Sequence, residues 1–262
     1  MEALLSANNL TNRFGGLVAV DDVSMDIHKG EVVGLVGDNG AGKSTLIKMI
    51  SGVYHPDGGE IYMDGKKVEI HGPRDARDMG IETIYQDLAL AENLDVGSNI
   101  FLGREIKQEY LGGLFHTLNR KKMRNESVSI LKKLEIHVPS LIQQIRNLSG
   151  GQRQAVAIAR SIYWNARLMI MDEPTAALGV AEQHKVLTLV RTLASQDVPV
   201  IIISHNMQDV FAVADRIVIL RRGKKVAERI AEETTPDEIV SLMVGAEAVH
   251  KMGIIPKALN GA

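Results

Sequence analysis

The chain has 262 residues, a formal net charge of −2, 45% hydrophobic and 24% charged residues, and no cysteine. That length allows one large domain or two small ones with an ample core, and the charge argues against a broad nucleic-acid-binding surface while leaving room for a local basic patch. Without cysteine there are no disulfides, thiolate zinc sites or cysteine nucleophiles, which fits a reducing compartment; no apolar run approaches the roughly 18 residues of a membrane helix, and Met1 to Ser6 carry no signal-peptide pattern.

Taken in order, Ala3 to Ile27 holds short segments compatible with strands, with Asn12-Arg13-Phe14-Gly15-Gly16 as a turn between them. Phe14 reads as a turn-packing aromatic or as a flat surface on which a base stacks, and its position alone favours packing. Glu31 to Val36 is a short apolar run of the buried-strand type. Gly37-Asp38-Asn39-Gly40-Ala41-Gly42-Lys43-Ser44-Thr45 follows and reads G-x-x-x-x-G-K-S, after which Leu46, Ile47, Met49 and Ile50 keep helical spacing. Strand, glycine loop and helix form the context in which this pattern cradles phosphate. Glycines let successive N–H groups turn inward, and the helix N-terminus adds partial positive charge. Lys43 then reaches the outer phosphates, and the Ser44 hydroxyl is a ligand for Mg²⁺.

Gly59 to Gly65 predicts an alternating strand closed by Asp-Gly, Arg74 to Met79 a short helix, and Ile81 to Tyr85 a strand ending at Gln86. Leu88 to Glu105 is mixed and helical towards its end, and Tyr110 to His116 is glycine-punctuated and reads as a loop. Asn119 to Leu134 is helical, with Met123, Val128, Ile130, Leu131 and Leu134 apolar among Lys and Arg; its basic side is read as a solvated face and Pro139 as its stop. Leu148-Ser149-Gly150-Gly151-Gln152-Arg153-Gln154 opens a helix capped by Ser149, with Ala155, Ile158, Ala159 and Ile162 as an inward stripe.

Leu168 to Met171 predicts a buried strand running into Asp172-Glu173-Pro174. Asp172 at a strand end suits the Mg²⁺ shell. Glu173, one residue on, is placed to orient and deprotonate a water that attacks the γ-phosphate. Ala181 to Leu193 is helical, Val198 to Ile203 an apolar strand ending in Ser204-His205, and Arg216 to Leu220 with Lys224 to Ile230 a terminal strand pair around Arg222-Gly223. Thr235-Pro236-Asp237-Glu238 opens the last helix with a capping box. Strands apolar throughout and alternating with helices predict a mainly parallel α/β sheet. The tail from Gly245 carries no motif.

The phosphate loop, Leu148-Ser149-Gly150-Gly151-Gln152 and Asp172-Glu173, in that order, resemble the ATP-binding subunit of an ABC transporter. The resemblance runs from Phe14 to His205. It implies a single ABC ATPase domain over residues 1–262: a P-loop ATPase core with a mainly parallel sheet, an antiparallel β subdomain, a helical subdomain inserted at about 87–163, and a C-terminal helix and tail from about 235. It implies that two copies face each other, so that Ser149, Gly150, Gly151 and Gln152 of one bind ATP held on the phosphate loop of the other. By the same resemblance Gln86 touches Mg²⁺ and the attacking water and faces the membrane subunit, His205 contacts the γ-phosphate, and Phe14 stacks on adenine, reversing the preference from position. One residue departs from the pattern: after Ala176-Ala177-Leu178 the family usually has Asp, and here stands Gly179, which leaves communication between the two sites open.

Tyr85 to Leu90, Asn99 to Glu105 and Ala176 to Val180 look like the ATP-binding proteins of bacterial importers for monosaccharides such as ribose, xylose and fructose. Arg13 to Ser24 also resembles branched-chain amino-acid importers, and soluble ABC ATPases of DNA repair or translation are a third reading. The implied partners are membrane permease subunits, a second ATP-binding subunit and, indirectly, a substrate-binding protein, with no nucleic acid. The implied place is the cytoplasmic face of the cell membrane, held there by a permease.

Overall fold

A computed structural model describes residues 3–110, 115–176 and 178–245. The tail expected beyond Gly245 lies outside the described residues. The chain opens with two long strands, β1 (Leu5–Phe14) and β2 (Leu17–Ile27), longer than the short segments expected. They join at Gly15-Gly16, with Phe14 opposite Leu17 and Gly15 at φ 58°, the left-handed turn geometry that suits strand twist. β3 (Val32–Val36) follows, then α1 (Lys43–Ile50), β4 (Gly58–Met63), β5 (Lys66–Val68), α2 (Pro73–Asp78) and β6 (Ile81–Ile84). Asp64-Gly65, both at positive φ, make the β4–β5 turn. Strands β2-β1-β4-β5 form an antiparallel sheet in that order.

The next stretch holds α3 (Val96–Ile100), β7 (Lys107–Tyr110), β8 (Phe115–Leu118), α4 (Arg120–Lys133) and α5 (Gly150–Tyr163). The glycine-punctuated stretch at Tyr110 to His116 is thus no loop throughout: its flanks belong to an antiparallel strand pair, Lys107 opposite Leu118 and Tyr110 opposite Phe115. The alternation in Lys107 to Leu118 is short and interrupted, which hid it from periodicity. α4 stops well before Pro139, at Lys133, where Glu135 turns left-handed at φ 55°. Val128 on α4 faces solvent, not the core.

β9 (Leu168–Asp172), α6 (Val180–Ser195), β10 (Val200–Ile203), α7 (Met207–Val213), β11 (Arg216–Arg221), β12 (Lys224–Ile230) and α8 (Pro236–Val244) complete the described chain. The second sheet runs β12-β11-β3-β10-β9-β6, parallel from β11 to β6 with β12 antiparallel at the edge. Its all-apolar strands feed two cores, because neighbouring side chains point to opposite faces. Val33, Leu35, Ile170, Ile201 and Ile203 pack towards α1 and the antiparallel sheet. Val32, Met169, Met171, Val200 and Ile202 pack towards α5 and α6. Helix α5 lies between that sheet face and α3, so it buries Gln154, Val156 and Ala157 along with Ile158 and Ala159 of the expected stripe, while Ala155 and Ile162 are only partly buried.

Candidate active site

The functional side chains collect at one edge of the parallel sheet because parallel strands all end there. Val36 precedes the glycine loop, Asp172 ends β9 opposite Ile203 of β10, Ser204-His205 continue β10, and Gln86 lies just past β6. They surround a cavity of about 980 Å³, walled by the loop from Asn39 to Thr45, by Gln86, Asp172, Glu173 and His205, and on its rim by Phe14.

The glycine loop is dictated locally. Gly37, Gly40 and Gly42 all have positive φ, and Gly42 sits at φ 103° where α1 begins. A Cβ on Gly42 would come within 2.5 Å of the Ala19 carbonyl oxygen, and one on Gly37 would strike that of Leu220. No side chain caps the N-terminus of α1, so its first N–H groups are available to an anion. Gly37 and Asp38 stand behind the cavity wall. Their carbonyls accept hydrogen bonds from Lys43 Nζ at 2.5 and 3.0 Å, folding the ammonium over the loop. Burial pushes the Lys43 ammonium below its ordinary pKa, while the carboxylates of Glu173, Asp38 and Asp172 pull the other way.

Burial, then the neighbouring Glu173 carboxylate, raise Asp172 above the ordinary Asp value, with Lys43 and Lys48 opposing. Glu173 is held in a left-handed backbone conformation, φ 52°. Its N–H donates to Ile203 O at 2.9 Å, and its two carboxylate oxygens are held by residue 205: the backbone N–H at 3.1 Å and Nδ1 at 2.8 Å. Two residues on, buried Thr175 donates to buried Asp209 of α7 at 2.5 Å, which anchors the loop. The α7 helix was not foreseen: its seven residues are too few for a periodic signal.

Among the described residues no group of three or more His, Asp or Glu is placed to hold a metal ion. Among the oxygen-bearing side chains that meet the cavity, beside Asn39, Thr45 and Glu173, are the Ser44 hydroxyl, the Asp172 carboxylate and the Gln86 carboxamide. That set suits Mg²⁺, which keeps several waters and binds through one or two carboxylates plus substrate phosphates. Phe14 is 46% exposed, with its ring edge against Tyr54 at 5.3 Å. One contact packs it and the rest of it fronts the cavity.

Ser149, Gly151 and Gln152 lie outside this cavity and line a groove against α6; Gly150 meets Gln86 and Glu173 in another. Ser149 and Gln152 cap α5 reciprocally, at 3.3 and 3.0 Å. The glycines have a packing reason as well: a Cβ on Gly150 would meet Leu178 at 2.6 Å and one on Gly151 would meet Glu182 at 3.0 Å. Gly179 has open space around it, at an ordinary φ of −70°.

Sequence reasoning missed Leu17, Val18, Ala19, Ala176 and Arg222 on the cavity wall. Arg222 comes there because the β11–β12 turn docks on the glycine loop, Gly223 N–H donating to Ala41 O at 3.0 Å and Gly223 O accepting from Asp21 N–H at 2.8 Å. No local signal announces that docking.

A strand, glycine loop and helix beside two consecutive carboxylates at the end of β9 define a P-loop ATPase. The family model described as ABC transporter matches residues 20–176, and the chain belongs to the ABC transporter family as an ATP-binding, ABC-type ATPase. It is 51% identical over 243 residues to the xylose/arabinose import ATP-binding protein of Sulfolobus acidocaldarius, covering 93% of this chain and 94% of that protein. It is 43% identical to the fructose import ATP-binding protein of Rhizobium meliloti, over 94% of this chain and 95% of that one. Against a ribose import ATP-binding protein of Streptomyces avermitilis it is 41% identical over 93% of its own length but 45% of the relative's. Among solved structures it resembles a nucleotide-free ATP-binding cassette from an ABC transporter, with TM-score 0.79, 26% identity and coverage of 97% and 100%. It also resembles a dimeric cassette bound to ADP and phosphate, with TM-score 0.70, 25% identity and coverage of 87% and 98%.

Proposed function

We propose that this chain is the ATP-hydrolysing subunit of an importer for a monosaccharide, working as a pair of copies on a membrane permease. The observation that carries the reading is the hold on Glu173: both carboxylate oxygens are engaged from residue 205, at the mouth of a cavity shared with Lys43, Asp172 and Gln86. The sugar reading is supported by relatives named for xylose/arabinose, fructose and ribose import.

In this mechanism the N–H groups of the glycine loop and α1 hold the phosphates, and Lys43 leaves its two carbonyls for the γ-phosphate. Ser44, Asp172 and Gln86 would hold Mg²⁺, which neutralises charge on the phosphate oxygens. Glu173 accepts the proton of the attacking water. His205, hydrogen-bonded to Glu173, orients that carboxylate and faces the γ-phosphate. Phe14 offers its exposed surface to adenine.

Ser149 to Gln152 complete the site from the second copy. The position of Ser149, Gly151 and Gln152 outside the chain's own cavity supports this, as does the dimeric cassette among the structural relatives. A two-fold contact then gives two equal sites. No helix among the described residues is long and apolar enough to cross a membrane, so on this reading a permease anchors the pair.

Gentle solubilisation and affinity capture of the tagged chain tests the assignment. A polytopic permease should co-purify, and ATP turnover of the captured complex should rise with its binding protein loaded with xylose, arabinose, fructose or ribose. Reproducible recovery of ribosomal or nucleic-acid partners alone would overturn it.

A further inference from the structure

The segment after Gln86 is gripped by a side chain from the last turn of α5. Arg160 Nη2 donates to Leu88 O and Nη1 to Ala89 O, both at 3.0 Å. These two carbonyls are neighbours in the chain, and the planar guanidinium fork matches such a pair in a way an ammonium does not. Ala89 is left-handed at φ 47°, a conformation that an alanine keeps only under constraint. Its N–H is tied to Asp87 Oδ1 at 3.1 Å, so the turn is held at both ends. Leu88 and Leu90 pack against the apolar cluster that contains α5.

Arg160 is itself held. Burial pushes its guanidinium below the ordinary value, and Glu82 on β6 acts in the opposite sense, stabilising the charge. Glu82 also meets Arg104 Nη2 at 3.7 Å, and Arg104 lies over the Trp164 ring at 5.0 Å. The guanidinium is therefore a half-buried donor set with a fixed background, aimed at two backbone acceptors.

We infer that Arg160 is a positioning residue that makes α5 and the loop after Gln86 move as one body, so that a nucleotide met by the Ser149 end of α5 sets the position of Gln86. This rests on the roles proposed above for Gln86 and for Ser149 to Gln152. The rigid path is short: α5 begins at Gly150, Arg160 lies on the same helix, and the clasped carbonyls stand two and three residues beyond Gln86.

The test is a double-mutant cycle on the purified full-length chain, measuring Mg-ATP turnover and nucleotide affinity for the parent, Q86A, R160M and the double variant. Amide exchange of residues 87–91 is measured alongside. R160M keeps length and apolar bulk; R160K keeps the charge beside Glu82 but not the fork. Turnover in R160M should fall by roughly 10- to 100-fold, the range for a displaced supporting contact, with nucleotide affinity unchanged. Exchange at 87–91 should quicken, R160K should recover part of the turnover, and the double variant should be no slower than Q86A. If the two losses multiply, or R160M turns over like the parent, the link is overturned while the Gln86 role stands. Parental turnover in Q86A overturns that role and this inference with it. Should R160M fail to fold, unchanged exchange at 87–91 in R160K overturns the link.

Discussion

His205 holds both carboxylate oxygens of Glu173, through Nδ1 at 2.8 Å and through its own backbone N–H at 3.1 Å. Only the Nδ1 contact depends on the identity of residue 205; the backbone N–H hydrogen bond does not. On the proposed reading this carboxylate is the base, and the His205 side chain is largely exposed beside it. Glu173→Gln should therefore bind ATP like the parent while turnover drops by roughly 10²–10⁴-fold, the usual worth of a positioned base. His205→Ala should fall less far, because the backbone donor stays. Single-turnover phosphate release measures both, and parental turnover in Glu173→Gln would remove it from the base role.

Lys43 is engaged with Gly37 O and Asp38 O, so phosphate exchanges one pair of acceptors for a charged one. Charged hydrogen bonds contribute about 1.5–3 kcal/mol. Lys43→Ala should weaken Mg-ATP affinity by roughly 10- to 100-fold on that scale, with the melting temperature nearly unchanged. Equilibrium titration with a fluorescent ATP analogue checks it, and unchanged affinity would contradict the phosphate-loop reading.

Gly179 occupies the N-cap position of α6 without any side-chain cap, at ordinary backbone angles and in open space. Asp suits that position and gains a few tenths of a kcal/mol over Gly there. Gly179→Asp should keep or slightly raise the melting temperature. It should also change the dependence of rate on ATP concentration, since a new carboxylate then stands beside the exposed Val180. A lowered melting temperature would mean that the open space is filled in the assembled protein.

Far from the cavity, Arg216 bridges Glu31 and Glu228, each at 2.7 Å. Burial alone would raise the Glu228 pKa, but Arg216 and then Lys225 outweigh it and hold the carboxyl below its ordinary 4.5. A depressed folded pKa contributes stability that is present above the unfolded value and lost as pH falls through the folded one. Melting temperature should thus decline as pH drops below about 4.5, and Glu228→Gln should flatten that decline. An unchanged acid limb in Glu228→Gln would place the acid sensitivity elsewhere.

Much of this architecture was legible because its signals are local. The strand before Gly37, the glycines that must turn left-handed, the apolar run into Asp172 and the Ser149–Gln152 cap are each written within a few residues. What escaped depends on distant packing. Arg222 reaches the cavity only because a hairpin turn docks on the glycine loop, and the grip of Arg160 joins residues more than seventy positions apart. α7 and the β7–β8 pair are too short for periodicity to announce. Phe14 lay between two readings, and the structure shows why: one edge packs on Tyr54 while the remainder fronts the cavity.

The central claim is that the catalytic cavity of one copy is completed by Ser149 to Gln152 of another. Light scattering of Glu173→Gln with and without Mg-ATP tests it most directly. The account predicts a monomer without nucleotide and a dimer with two ATP bound, a dimer that Ser149→Arg prevents. A Glu173→Gln protein that binds ATP stoichiometrically and stays monomeric at high concentration would contradict it.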